Sequence, residues 1–269
     1  METIEQIGEW RERYQRWKRI YELRGDDVGG HYPWVENRRA PFRPAGRALP
    51  MLNLGLITSA GAYIDGTEAF DTSIPGGDAS FREIPTLVTA ADLQWAARGY
   101  DPSAVREDMN SQVPLTRLFE FAGNGIIGQL NPVFWSFCGF IPSAARFAEN
   151  ALPDLVERVR RYGVQAALLV PASRLCHQTM GLAARALEAN GVTTMMLAVD
   201  REATERVKPP RAAYYVGEPG RVAGEPNWPE HQRRILDESL RLLEPTDQVG
   251  IRKISVELET AVEQGRGER

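Results

Sequence analysis

Cysteine and histidine are scarce in this chain. There are two cysteines (Cys138, Cys176) and three histidines (His31, His177, His231) among 269 residues. Two cysteines do not make a disulfide framework. The histidines lie far apart in sequence and show no zinc-ligand spacing, so no metal site is expected. An excess of either charge is also missing: the net charge is -4 and the pI near 5.6, which gives no electrostatic case for nucleic acid. No apolar run approaches the ~20 residues that span a bilayer, so no membrane segment is expected. The first residues, Met1-Glu2-Thr3-Ile4-Glu5, are polar and acidic, unlike a signal peptide. A reducing cytoplasm is the simplest compartment. Neither a P-loop nor a G-x-S-x-G elbow is present, which removes two common nucleotide and hydrolase signatures.

What is present is ordinary for a globular protein: 43% hydrophobic and 25% charged residues. Residues 3–23 read as a helix with Trp10, Tyr14, Trp17 and Tyr21 on one face. Gly, Pro and Arg then dominate residues 25–50, which read as a linker or wrapping arm. An α/β alternation follows. Strands are expected at 51–58, 83–88, 132–138, 165–170 and 193–199. Helices are expected at 90–98, 114–122, 153–162, 179–189 and 229–243. Between Tyr63 and Phe81 lies a long polar loop, a length that usually marks function or mobility. The strand–turn–helix–strand run over 165–199 is a βαβ unit, so part of the sheet should be parallel. The expected fold is α/β: one domain over 50–250 with a mainly parallel sheet flanked by helices. A helical arm and linker (1–49) precede it, and a C-terminal extension (251–269), frayed at its end, follows.

Cys176 is the leading candidate for chemistry. It lies in Ser173-Arg174-Leu175-Cys176-His177-Gln178-Thr179, between a strand and a helix. A thiol at a helix N-terminus faces the positive end of the dipole, which lowers its pKa. His177 is its neighbour and could tune it or move protons; Ser173 could offer a hydrogen bond. The first N–H groups of the helix at Thr179 would suit an anion, and Gln178 could donate to a substrate. Ligands of open α/β sheets collect beyond the carboxyl ends of the strands. If the strands are parallel, Thr58 to Gly61 (with Ser59), Cys138-Gly139 and Ser173 to Gln178 meet there. The bland readings stand beside these. Free cysteine is usually inert core, and Cys138, among aromatics, reads first as filler. His31 and His231 read as solvent-facing or capping residues. The loop acids Glu68 and Asp78 are more often solvated than catalytic, and Arg82 could bind a carboxylate. Gly123-Asn124-Gly125-Ile126-Ile127-Gly128 matches G-x-G-x-x-G, but the expected helix before it makes it a turn rather than a dinucleotide site.

The run Leu168-Leu169-Val170-Pro171 into Cys176-His177-Gln178-Thr179-Met180-Gly181-Leu182 resembles the selenoprotein B family of glycine/betaine/sarcosine/D-proline reductases, nearest to its D-proline branch. Further matches are Phe81-Arg82-Glu83-Ile84-Pro85, Tyr100-Asp101, Pro209-Pro210-Arg211-Ala212 and Gln232-Arg233-Arg234. The likeness runs from about Pro33 to about Pro245. It implies reductive cleavage of a C–N or related bond in a small amino-acid-like or amine substrate. A redox-active chalcogen does the work, and an external dithiol or thioredoxin-type donor supplies electrons. The family pattern has a selenocysteine or cysteine where this chain has Ser173, and a histidine where it has Gly99. The two-chalcogen pair is therefore broken, and Cys138 is the one candidate for a second thiol. The D-proline enzyme also carries a pyruvoyl group on a separate chain; nothing in this sequence supplies one, and no cofactor is expected. The expectation is a thiol-dependent reductase with Cys176 as nucleophile. The alternatives are a non-redox lyase or isomerase, or a subunit that binds a partner, or a second copy of itself, through its aromatic helix.

Overall fold

Runs that are apolar on both faces become the central strands. The computed structural model describes residues 3–24, 32–244 and 249–256. Strands β1 (Asn53–Thr58), β7 (Ala166–Val170) and β8 (Thr193–Ala198) are buried at every position, as strands covered by helices on both sides must be. They sit at the middle of an eight-stranded sheet in the order β10-β9-β8-β7-β1-β6-β3, with β5 (Gln129–Leu130) also on β1. Here β3 is Phe81–Pro85, β6 is Val133–Phe137, β9 is Arg211–Tyr214 and β10 is Gly250–Lys253. Every pairing is parallel except β3 with β6. A mixed α/β fold with a mainly parallel sheet was the expectation, and it holds.

Alternate side chains of each strand feed two apolar layers. Ile57, Trp135, Phe137, Leu169 and Met196 point to one, with helices α1 (Ile7–Arg24) and α4 (Leu152–Arg161). Leu54, Leu56, Phe134, Leu168 and Val170 point to the other, beneath α3 (Leu115–Gly123) and α7 (Pro229–Arg241). This is the two-residue period of a strand read out on both faces. Short helices α2 (Ser103–Glu107) and α6 (Arg201–Val207) complete the set, with α5 (Arg174–Ala189) between β7 and β8. Helix α4 buries Leu152, Leu155, Val156 and Val159, places Arg158, Arg160 and Arg161 in its last turn, and gives way to Gly163 at φ 67°.

Several expectations shift. No helix spans 90–98. A single tight turn, Ala90–Asp92, is closed by a capping box between Thr89 and Asp92. It runs into strand β4 (Leu93–Trp95), which pairs antiparallel with β2 (Ala62–Ile64). The strand expected at 83–88 lies at Phe81–Pro85. The sheet also takes in Gly250–Lys253, so it continues into the residues read as a C-terminal extension; the frayed end lies outside the described residues, as does His31. The glycine run at 123–128 follows a helix and enters β5, the reverse of the strand-then-helix order of a dinucleotide site.

The N-terminal segment is stitched to the domain rather than free. Trp10 and Tyr14 stack at 5.5 Å, Trp17 and Tyr21 at 5.0 Å, and Trp17 meets Tyr32 edge-on. Trp10, Tyr14 and Trp17 are buried in the core. Of the two readings of that face, packing on the chain's own domain or offering itself to a partner, the structure has the first, because hiding those rings on the domain removes them from water. The arm is held by buried charge: Arg185 donates to the carbonyls of Thr3, Arg39 and Lys208. Glu188 accepts the Arg43 N–H and pairs with Arg211 at 2.5 Å.

Candidate active site around Cys176

The strand order reverses at β1, which separates the consecutive strands β6 and β7. Their carboxyl ends meet there, the place where α/β folds collect ligands. All three stretches expected at this edge do converge. The Ser59 N–H donates to Val170 O at 3.1 Å, the Gly61 N–H to Phe137 O at 2.7 Å, and Ala60 bridges to Cys138. Gly61 has φ 69°, and a side chain there would collide with the Ala96 carbonyl.

Helix α5 begins one turn earlier than the sequence suggested, so Cys176 lies inside its first turn and Ser173 is the N-cap. Ser173 Oγ accepts the Cys176 N–H at 3.2 Å and donates to Cys176 Sγ at 3.0 Å. The S-x-x-C spacing was a cap signal. Ser59 Oγ accepts the Ala172 N–H at 2.9 Å and also faces the sulfur. Gly139 passes directly over the thiol: a Cβ there would stand 2.9 Å from Cys176 Sγ. Its carbonyl accepts the Thr179 hydroxyl at 2.7 Å. Thr179 thus holds the covering loop.

The thiol is fully buried. Burial, the largest influence, pushes its pKa up. The Ser173 and Ser59 hydroxyls and the main chain of Ala172 and Ser173 pull it down without offsetting burial. The lowered pKa expected from the helix dipole is therefore not the state of the closed site: desolvation outweighs the donors. Cys138 is pushed up to about 12, by burial and then by Cys176, with Arg98 opposing. Its Sγ faces Ala96 O at 3.1 Å, and both cysteines are free thiols.

Two neighbours of Cys176 face elsewhere. His177 Nδ1 lies 2.8 Å from Ser173 O, and its Nε2 accepts the N–H groups of Val199 and Asp200. Nδ1–H is then the donor, the ring is neutral, and main chain occupies both nitrogens. Burial lowers its pKa against the opposing pull of Ser173 O and Asp200. Gln178 Oε1 accepts the Val35 N–H at 2.9 Å, and its Nε2 donates to the Tyr32 hydroxyl at 2.7 Å. Both amide atoms hold the arm, which leaves none for a substrate.

The remote candidates build the long loop. Arg82 donates to the carbonyls of Glu68 and Ala69 and stacks over Phe70 at 4.3 Å. Glu68 takes part through its main chain. Asp78 accepts from Ser80 and from the Asp71 N–H. Burial works against it, yet these bonds hold its carboxyl below the usual range. His231 is buried, not solvent-facing, and its Nδ1 accepts the Glu225 N–H at 3.1 Å.

Sequence reasoning missed Tyr100. Its hydroxyl donates to Ala60 O at 2.7 Å, and its pKa is pushed up by burial and then by Cys176 and Cys138. The phenol therefore lies within electrostatic reach of both thiols and is tied to Ala60, whose neighbour across the bridge is Cys138; only its place in the family pattern marked it. Among the described residues no group of three His, Cys, Asp or Glu could hold a metal ion, and no helix is long and apolar enough to cross a membrane.

The sequence model of the family described as glycine/sarcosine/betaine reductase selenoprotein B matches residues 22–172. The chain is 30% identical to the D-proline reductase subunit gamma of Acetoanaerobium sticklandii, over 75% of this chain and 82% of that one. It is 24% identical to the glycine reductase complex component B subunit gamma of Symbiobacterium thermophilum, over 64% of this chain and 41% of that one. The corresponding subunit of Carboxydothermus hydrogenoformans is 25% identical over 64% of this chain and 40% of its own. The chain thus spans about two fifths of these glycine reductase subunits. No solved structure matches.

Proposed function

Because the chain belongs to the glycine/sarcosine/betaine reductase selenoprotein B family, we propose that it is a subunit of a reductase complex in which Cys176 is the reacting thiol. The observation that carries this reading is the Ser173 hydroxyl donated to the sulfur at 3.0 Å, with Ser59 Oγ and the main chain of Ala172 and Ser173 close enough to favour its charged form. Such donors stabilise a negative sulfur. Burial keeps that sulfur protonated until the site opens. The substrate class is a small amino acid or amine, as in the names of the relatives.

Reductive cleavage of a C–N bond takes two electrons and two protons. It yields a C–H and an N–H bond. Two thiols going to one disulfide release that number of each. Ser173 cannot supply the second thiol, so the partner is Cys138 or an external dithiol. Tyr100, whose hydroxyl lies on Ala60 O within electrostatic reach of both sulfurs, is the group to hand a proton to the nitrogen. Partner subunits dock on surfaces other than the aromatic face of α1, which is covered. The compartment proposed is the cytoplasm, where the thiols stay reduced.

The test is C–N cleavage (amine released from glycine, sarcosine or betaine, or a ring-opened amino acid formed from D-proline) and dithiol consumption by the complex purified through this chain. Cys176→Ser should abolish both. Cleavage that persists without dithiol consumption, and is lost in Cys176→Ser, would replace reduction with a lyase or isomerase reaction. A second reading, a subunit without its own chemistry, is favoured by the complete burial of the thiol. Unchanged turnover in Cys176→Ser would select it.

A further inference from the structure

Arg98 carries a half-buried guanidinium beside the covered site, and the protein uses little of it. Nη1 donates to Ile74 O at 2.7 Å, and Cζ stands 4.8 Å over the Phe140 ring. Among the described residues no carboxylate pairs with it, and Nε and Nη2 have no acceptor. Those two groups form one edge of the guanidinium, the fork that a carboxylate takes with two parallel bonds. Asp71 feels the charge of Arg98 but bonds to Ser73, as Asp78 bonds to Ser80, and neither is within ion-pair distance of the guanidinium.

The same Phe140 ring belongs to the loop that crosses the thiol, one residue after Gly139. A Cβ on Gly99 would meet Phe140 Cδ2 at 2.5 Å and Ser173 Oγ at 3.4 Å. Ser173 Oγ in turn lies 3.0 Å from Cys176 Sγ. Arg98, Phe140, Gly99 and Ser173 thus form a chain of neighbours that ends at the thiol.

We propose that Arg98 anchors the carboxylate of a small amino-acid substrate and that Phe140 is the movable wall between that anchor and Cys176, an inference that rests on Cys176 being the reacting thiol. A carboxylate on the free edge of Arg98 weakens the cation–π hold on Phe140. The ring can then swing and admit the other end of a short ligand. Opening also lets water reach the sulfur, which relieves the desolvation that keeps it protonated.

The test uses two alkylating probes of similar size, iodoacetate and iodoacetamide, on the full chain carrying Cys138→Ser. The sulfur displaces iodide from either, and the thiol proton goes to solvent; only iodoacetate has a carboxylate. The ratio of their rates, relative to that for N-acetylcysteine, is expected to rise on the order of tenfold, as one charged hydrogen-bonded contact supplies. Arg98→Met should return the ratio to the reference, Arg98→Lys should keep part of it, and Phe140→Ala should speed both reagents. An ordinary ratio in the unsubstituted site, or equal slowing of both reagents by Arg98→Met, would make Arg98 a loop clamp and overturn the anchor. No acceleration in Phe140→Ala would overturn the wall. Either failure leaves a reactive Cys176 standing. A thiol inert to both reagents in every variant would sink this proposal and the thiol reading together.

Discussion

Gly139→Ala measures how tightly the thiol is enclosed. Gly139 leaves β6 and crosses the sulfur. A Cβ added there would overlap Ser59 Cβ and stand 2.9 Å from both Cys176 Sγ and Ser59 Oγ. Neither wall can yield freely. Ser59 accepts the Ala172 N–H at 2.9 Å, and the Gly139 carbonyl accepts the Thr179 hydroxyl at 2.7 Å. Overpacking of this kind costs about 1–3 kcal/mol, and one buried hydrogen bond lost in the adjustment adds about 1 kcal/mol. The expected loss is roughly 2–4 kcal/mol. Gly123→Ala is the control: it lies in α3 with no heavy atom within 4 Å of the added carbon. Helix propensity there should give a gain of about 0.5–1 kcal/mol. Urea unfolding of both variants, with equal slopes, reads the two values. If Gly139→Ala unfolds within about 0.5 kcal/mol of the parent, the thiol is not walled in as described.

Ser173→Ala removes the cap of α5 and a donor to the sulfur. Stability should fall by about 1 kcal/mol, and the pH midpoint of Cys176 alkylation should move further above the ordinary 9.0; an unchanged midpoint would discount the hydroxyl. His177 is neutral and buried with its pKa below 6.5. The unfolded chain takes up that proton first as pH drops, so stability should be full above 6.5 and decline below it. His177→Gln should flatten that part of the curve, and an identical slope would put the titration elsewhere. Arg211→Met leaves Glu188 buried and unpaired, which should cost about 3–5 kcal/mol by denaturant unfolding. A loss under about 1 kcal/mol, the range of an exposed pair, would mean that Thr194 and the Arg43 N–H suffice for that carboxylate.

The central strands and the meeting of three loops could be read from the sequence because their signals are local. Leu168-Leu169-Val170 and Met195-Met196-Leu197-Ala198 are uninterrupted apolar runs, and Asn190-Gly191 closes the helix between them. Cys176 could be placed at a strand-to-helix turn for the same reason. Its pKa could not, because the outcome depends on Gly139 and Ser59, both distant in sequence, enclosing the sulfur. The segment 90–98 read as helix, yet antiparallel pairing with Ala62–Ile64 took Leu93–Trp95 into a strand. Such three-residue strands carry too few alternations to detect. His177 and Gln178 looked functional beside Cys176; their bonds to Val199, Asp200, Tyr32 and Val35 appear only once the chain is folded.

The most direct test of the central claim is a single-turnover thiol count. The complex purified through this chain is reduced, freed of dithiol, and given its amino-acid substrate once; remaining thiols are then mapped by mass spectrometry. The account predicts that Cys176 and one partner thiol disappear for each C–N bond cleaved, and that Cys176→Ser cleaves none. Cleavage while Cys176 remains a free thiol would contradict it.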